Sequence, residues 1–474
     1  MTDRPYVQPI PYRDPIEAFQ PFASDPVAAL LDSAVPAGGR GRFSYIACDP
    51  FRVVRAAGET AIDGRSQSPP TLDPFDALER EIKKFRFQND PALPPFQGGC
   101  VGYLGYELGR HLERLPPVSK TGLDLPDMVA GFYDTIAAFD TETRRAWVIA
   151  HDAGALDQTL DRPPPQDRAR ALAERIQAAP APAPVSWAPA GAWTAELTRA
   201  EFEEKVARAI EYIHAGDIFQ ANLTLRLLGE IPKGLDGFGL YRRLRSLSPA
   251  PFAAYLTAGI GAAIASASPE RFISLDPDGH VTTRPIKGTR PRGRTPVEDE
   301  NLARELLQSE KDRAENLMIV DLLRNDLSRV SRLGSVRVTE LAGLESFANV
   351  HHLVSEIRGT LFPNLGAVDL LRATFPGGSI TGAPKIRAME IINELEPARR
   401  GPYCGAILWI GFDGAMDSSI VIRTLAIKDG VVAAQGGGGI VADSDPAAEY
   451  DEAMNKIWPL LQSLDPGDAR QEQA

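Results

Sequence analysis

The chain has 474 residues, of which 43% are hydrophobic and 24% charged, with a formal net charge of −12. Its length calls for two or three units of roughly 100–200 residues, and its negative balance argues against nucleic acid or an anionic membrane as a partner. Cys48, Cys100 and Cys404 form no Cys-x-x-Cys pair, so neither a disulfide framework nor a zinc site is indicated.

The first residues lack the apolar core of a signal peptide, and no apolar run reaches membrane-spanning length, so a soluble cytoplasmic protein is expected. Residues 1–150 read as short strands with turn punctuation, among them 42–48 and 144–150. Gly98, Gly99, Gly102 and Gly105 suit close packing or tight turns better than a phosphate loop, because no helix onset follows in register. From 151 to 196 the composition shifts. Pro163-Pro-Pro165 and an Ala/Pro run over 179–184 flank a short helical pattern, which predicts a semi-rigid linker and a domain boundary.

Thr198-x-x-Glu201 is a capping box, and Phe202, Val206, Ile210 and Ile213 then recur at helical spacing until Gly216. Over 218–225 apolar and polar residues alternate, which predicts a half-buried strand. Its Gln220, Asn222 and Thr224 share one face, turned to solvent or lining a polar pocket. Strands near 262–266 and 272–275 follow, with Ser268-Pro-Glu270-Arg between them. A turn at Asp276-Pro-Asp-Gly279 returns the chain over 281–286 and delivers Lys287. Glu270 and Lys287 then stand near one end of adjacent strands, as an ion pair or as acid and nucleophile.

Lys287 lies in Arg284-Pro-Ile-Lys-Gly-Thr-Arg-Pro-Arg292, where Pro285 and Pro291 stiffen the backbone and Gly288 permits close approach. A held amine is suited to nucleophilic work; a solvated basic turn is the plain alternative. Thr295-Pro-Val-Glu298 opens a helical region whose Asp312 and Glu315 share a face. Asp445-Pro446 opens another, with Glu449, Glu452 and Lys456 on one face. Spaced acidic pairs on two helices are either wet surface or oxygen ligands for a hard cation such as Mg²⁺.

Phe375-Pro-Gly377-Gly378-Ser-Ile-Thr381-Gly-Ala-Pro-Lys385 leads into a helix whose start suits an anion, helped by Thr381 and Lys385. It is not a Walker A loop. Gln435-Gly436-Gly-Gly-Gly439, after a strand over 431–434, is a backbone cradle for a carboxylate or a flexible turn. Arg423, on a strand over 420–427, and Tyr403 add donors suited to a carboxylate. His352 is a donor or proton carrier only if it faces such a site.

These segments resemble those of the chorismate-utilising enzymes. Carrying the resemblance are Gly216-Asp-Ile-Phe-Gln220, Ser268-Pro-Glu270, Pro285-Ile-Lys-Gly-Thr-Arg-Pro-Arg292, Lys311-Asp-Arg-Ala-Glu-Asn316, His352-Leu-Val-Ser, Thr381-Gly-Ala-Pro-Lys385, Ile422-Arg-Thr and Glu449-Tyr-Asp-Glu-Ala-Met-Asn-Lys456. They stand in the family's order over about 197–460, and 96–107 resembles its amino-terminal domain. The resemblance implies an α+β fold of antiparallel sheets packed with helices, divided into 1–150, a linker 151–196, a catalytic domain 197–462 and a polar tail 463–474.

It also implies roles. Mg²⁺ falls to Glu315 and Glu452, with Asp312 and Glu449 close by, and substrate carboxylates to Tyr403, Arg423, Gly437, Gly439 and Lys456. Thr381 and His352 match pocket positions, and Glu270 matches the general acid at the C4 hydroxyl. Members that add water carry a lysine base where this chain has Gln220, and members that make anthranilate typically have alanine where it has Lys287.

The Pro-Ile-Lys-Gly-Thr form is similar to the branch that aminates chorismate to 4-amino-4-deoxychorismate, for 4-aminobenzoate and folate, through a lysine nucleophile. Ammonia there comes from a glutamine amidotransferase subunit. The anthranilate branch and a non-catalytic chorismate-binding subunit are the alternatives. Ser33 and Arg42 resemble a tryptophan pocket of relatives, with Asp32 where glutamate is usual.

Overall fold

Short-range signals set the main helices. Thr198 Oγ1 accepts from the Glu201 amide while the Glu201 carboxylate takes the Thr198 amide, and helix Arg199–His214 follows. Thr295 caps Pro296–Gln308. The helical region behind it breaks at Ser309, whose hydroxyl caps a second helix, Glu310–Ser328. Asp445 caps Pro446–Gln462. The computed structural model describes residues 4–465 except 36–40, 64, 67–71, 118–119, 181–186, 189 and 348–349. Most of the Ala/Pro run and of the polar tail lies outside these.

Among the described residues, two antiparallel sheets of twelve strands each stack face to face. The layer between them is built from strand side chains such as Tyr103, Tyr133, Ile136, Ile264 and Ile407. The outer face of one sheet packs against Val206, Phe238, Ile391 and Ile457 from its helices, and that of the other against Phe75, Ile319 and Leu370. With both faces covered, central strands such as Gly99–Leu104, Met128–Tyr133 and Ala262–Ser268 are buried throughout rather than alternating. Gln220–Glu230, expected to be half-buried, is buried over its first eight residues.

Strands from the first 150 residues pair in both sheets with strands from beyond residue 250. Ala29–Asp32 pairs with Phe252–Thr257 in one sheet, and Gly99–Leu104 pairs with Ala406–Gly411 in the other. In the segment 151–196 the expected short helical pattern forms a helix. Helix Pro165–Gln177 buries Arg168, which donates to Thr135 Oγ1 at 3.0 Å and to the carbonyls of Pro163 and His151.

His151 itself is 2% exposed, and neither ring nitrogen has a hydrogen-bond partner. Burial pushes its pKa down to about 4. The unfolded imidazole takes a proton near pH 6.5 and the folded one does not, so stability present above pH 6.5 is lost as pH falls towards 4. His151→Leu is expected to remove about 2 kcal/mol of that acid-side loss, read by denaturant unfolding at pH 7 and pH 4.5.

Candidate active site

The glycine run after 435 is not a loop. Strand Val431–Ile440 continues through all four glycines, paired with Gln220–Glu230. Side chains are excluded there because helix Pro446–Gln462 and Gln220 lie against the strand. A Cβ at Gly436 would meet Ile457 Cγ1 at 2.7 Å, one at Gly438 would meet Glu449 Oε2 at 2.9 Å and Glu452 Oε1 at 3.4 Å, and one at Gly439 would meet Gln220 Nε2 at 2.4 Å. Strand Thr424–Lys428 covers the other edge only as far as Ala434. Beyond it the backbone of Gln435–Gly439 borders a cavity of about 560 Å³.

Lys287 reaches this cavity by a different route from the one expected. The chain does not run straight from His280–Thr283 into Lys287. It breaks at Arg284-Pro285 and resumes as strand Ile286–Pro291, whose partner is Val350–Thr360. Ile286 pairs with Val354 and Thr289 with His352, so one extra residue is accommodated at Lys287-Gly288. Such a bulge re-aims a side chain. Gly288 has φ +83°, and a Cβ on it would sit 3.0 Å from Asp312 Cβ, so glycine lets helix Glu310–Ser328 close over the strand.

Glu270 lines the same cavity as Lys287, and its carboxyl is pushed up to about 7. Burial is the cause, opposed by the Ser379 hydroxyl, the Lys287 charge and the Ile286 amide. A carboxyl so placed is half protonated near neutrality, as a general acid requires. His352 faces the cavity with Nδ1 2.8 Å from Thr289 Oγ1, and burial lowers it to about 4. It is therefore a neutral hydrogen-bonding group at neutral pH rather than an acid. His351 is structural, spanning Ser346 and Asp299.

The acidic pairs face one another across the cavity. Glu315 and Asp312 project from one helix, Glu449 and Glu452 from the other. Burial raises Glu315 and Glu449. At Glu452 burial also pushes up, but Lys456, by charge and by a 2.6 Å hydrogen bond, carries it below its usual value. Asp312 is partly spent on Arg290 at 3.3 Å. Glu449 accepts from Ser444 on Oε1, while Oε2 is buried with no partner.

That orphaned oxygen, the bare Cα of Gly438 beneath it and an all-oxygen donor set fit a hard cation. Among the described residues no three potential ligands converge into a closed cage. The carboxylates stand on two separate helices, which leaves room between them for further oxygens.

Arg423, expected within a strand, stands where the chain passes from Met416–Ile420 in one sheet to Thr424–Lys428 in the other. Its φ of +53° is the left-handed conformation, and its Nη1 donates to the Lys456 carbonyl at 3.2 Å. Tyr403 and Lys456 line the cavity with it, and Lys456 Nζ donates to the Gly437 carbonyl at 2.8 Å.

Three expectations need correction. Thr381 is fully buried and donates to the Gly377 carbonyl at 3.0 Å instead of lining the cavity. Lys385 is committed to Asp326 at 2.6 Å and the Thr374 carbonyl at 3.0 Å. Gln220 lies behind Gly439, fully buried, with both amide atoms unpartnered. Sequence reasoning missed Ser379 and Thr289, whose roles depend on contacts with Glu270 and His352 that no spacing reveals.

Ser33 and Arg42 line a separate cavity of about 150 Å³. Their polar groups are already engaged: Ser33 Oγ with the Phe43 carbonyl at 2.6 Å, and Arg42 with Asp140 at 2.6 Å. Asp32 accepts from Tyr241 at 2.9 Å and pairs with Arg245 at 2.5 Å.

A buried acid beside an amine, with carboxylates and cations opposed across one cavity, defines a catalytic pocket for a small anionic molecule. A family model described as chorismate binding enzyme matches residues 33–462. The chain is 43% identical over 471 residues to aminodeoxychorismate synthase component 1 of Salmonella typhimurium, spanning 98% of this chain and 99% of that protein. It is 42% identical over 467 residues to anthranilate synthase component 1 of Streptomyces coelicolor, spanning 95% and 86%. The crystal structure of anthranilate synthase component I from Streptococcus pneumoniae superposes with a TM-score of 0.78 at 33% identity, covering 90% and 93%. The chain belongs to the chorismate-binding enzymes. No helix among the described residues is long and apolar enough to cross a membrane.

Proposed function

We propose that this chain aminates chorismate at C4 to give 4-amino-4-deoxychorismate, using ammonia released from glutamine by a partner amidotransferase. The observation that carries the reading is Lys287, bulged into the cavity that also holds Glu270 and the opposed acidic pairs. Overall identity does not choose between the two activities named for its relatives, since both stand near 42%. An amine at this position does favour one of them, because it can bond to the ring, and the alanine typical of the anthranilate branch cannot.

In this mechanism the Lys287 amine bonds to C2 as both ring double bonds shift along C1, C6 and C5 and the C4–O bond breaks. Glu270 gives its proton to the departing hydroxyl, which leaves as water. Ammonia then bonds to C4, both double bonds shift back, and the C2–N bond breaks to return Lys287. The added nitrogen gives up a proton that restores the Glu270 carboxyl, so the net change is ammonia in and water out. Tyr403, Arg423 and Lys456 are suited to holding substrate carboxylates, and His352 to a neutral hydrogen bond. Glu315, Glu449 and Glu452 would hold Mg²⁺. When bound, the ion supplies the positive charge that lets an acidic wall accept a dicarboxylate.

Incubation of the purified chain with chorismate, Mg²⁺ and ammonium, followed by mass identification of the product, tests the reading; anthranilate in place of 4-amino-4-deoxychorismate sinks it. Chelation with EDTA is expected to abolish turnover and added Mg²⁺ to restore it. Glu449→Gln should raise the Mg²⁺ needed for half-maximal rate by about tenfold or more, since it removes one charged oxygen ligand.

A further inference from the structure

Behind the cavity wall, a buried arginine ties together the segments on which the pocket residues stand. Arg400 is 2% exposed, and Glu396, 6% exposed, receives it at two points, 2.8 Å from Nε and 2.6 Å from Nη2. Its other hydrogen bonds go to main-chain carbonyls, Nη1 to Ile380 at 2.9 Å and Nη2 to Asn222 at 2.6 Å. Both of those residues line the active cavity, one on strand Gln220–Glu230 and one on the turn Gly378–Ile380 that carries Ser379. The Arg400 and Gly401 amides each donate to the Glu107 carboxylate at 2.9 Å, which fixes the chain just before Tyr403. The Tyr106 ring packs on the guanidinium at 4.5 Å.

A planar fork of five donors can hold a carboxylate and two carbonyls at once; a lysine ammonium offers three donors from a single point. A buried ion pair is also a weak source of stability compared with apolar packing of the same volume. We propose that Arg400 is a positioning residue for chorismate amination, holding the Asn222 wall, the Ser379–Ile380 turn beside Glu270 and the Tyr403 wall in one register. It touches no reacting atom. The inference rests on the amination reading above.

Arg400→Lys keeps the charge and loses the fork. Its expected signature is a 10- to 100-fold fall in kcat, the scale of an ångström-sized misplacement, with the KM for chorismate changed much less. As Ser379 withdraws from Glu270, the alkaline limb of the pH–rate profile should move to higher pH, a change that loss of stability alone does not produce. Glu396→Gln, isosteric and without the two-point anchor, should carry the same signature at smaller size, and it decides the matter if the lysine variant does not fold. Wild-type kinetic constants and pH limb in the folded variants, with only the thermal midpoint lowered, overturn the proposal. A wild-type protein that leaves chorismate untouched overturns the amination reading instead.

Discussion

Lys287→Ala is expected to lose formation of 4-amino-4-deoxychorismate by on the order of 10³-fold or more, the scale on which a nucleophile's removal is felt. Lys287→Arg should lose as much, because guanidinium keeps its proton and cannot bond to C2. The pair separates chemistry from charge: if the lysine served only as a counter-ion for the substrate or for Glu315, arginine would retain most of the rate. The half-buried Lys287 side chain lines an open cavity rather than the packed core, so neither change creates a core cavity. Without ammonia, wild-type protein incubated with chorismate should accumulate an adduct of chorismate less water on the peptide containing Lys287. Absence of any adduct, together with normal product from the alanine variant, would remove the covalent route.

Glu270→Gln is expected to lower kcat by about 10²- to 10⁴-fold, the range of a general acid's contribution. The acid must carry its proton, and burial holds it near pH 7, so wild-type activity should fall as pH rises through about 7. That limb should vanish in the glutamine variant. Stability runs the opposite way. A carboxyl raised in the folded state favours folding below its unfolded pKa, and that contribution is lost as pH rises through the folded one. At pH 8 the glutamine variant should therefore be more stable than wild type by up to about 3 kcal/mol, measured by denaturant unfolding. A variant less stable at pH 8 would mean that the carboxylate is satisfied in place, and the acid assignment would fail.

Several parts of this molecule were legible residue by residue. The caps at Thr198, Thr295 and Asp445 form as read, because capping is a contact between neighbours in sequence. Asp312 with Glu315, and Glu449 with Glu452, project as pairs because helical spacing alone puts them on one face. Misreadings arose where a second element intruded. The glycines at 436–439 suit a backbone cradle or a flexible turn until helix Pro446–Gln462 and Gln220, pressed against them, fix them in a strand. Gln220, Asn222 and Thr224 suit either solvent or a pocket until the covering layer is in place; all three are then buried, and Asn222 lines the cavity. Lys385 looks like an anion ligand until Asp326 arrives from a distant helix.

What the sequence determined by itself is the set of reactive groups and their local carriers: the amine on its stiffened segment, the acid after Ser268-Pro269, the spaced carboxylates and the family they belong to. Tertiary structure alone decided which of these meet. Strands from the first 150 residues complete both sheets, the break at Arg284-Pro285 and the bulge turn Lys287 into the cavity, and Arg423 lies where the chain changes sheet. Contacts between residues hundreds of positions apart depend on how whole layers pack, and burial, which sets the Glu270 proton, belongs to the packed molecule rather than to any stretch of it.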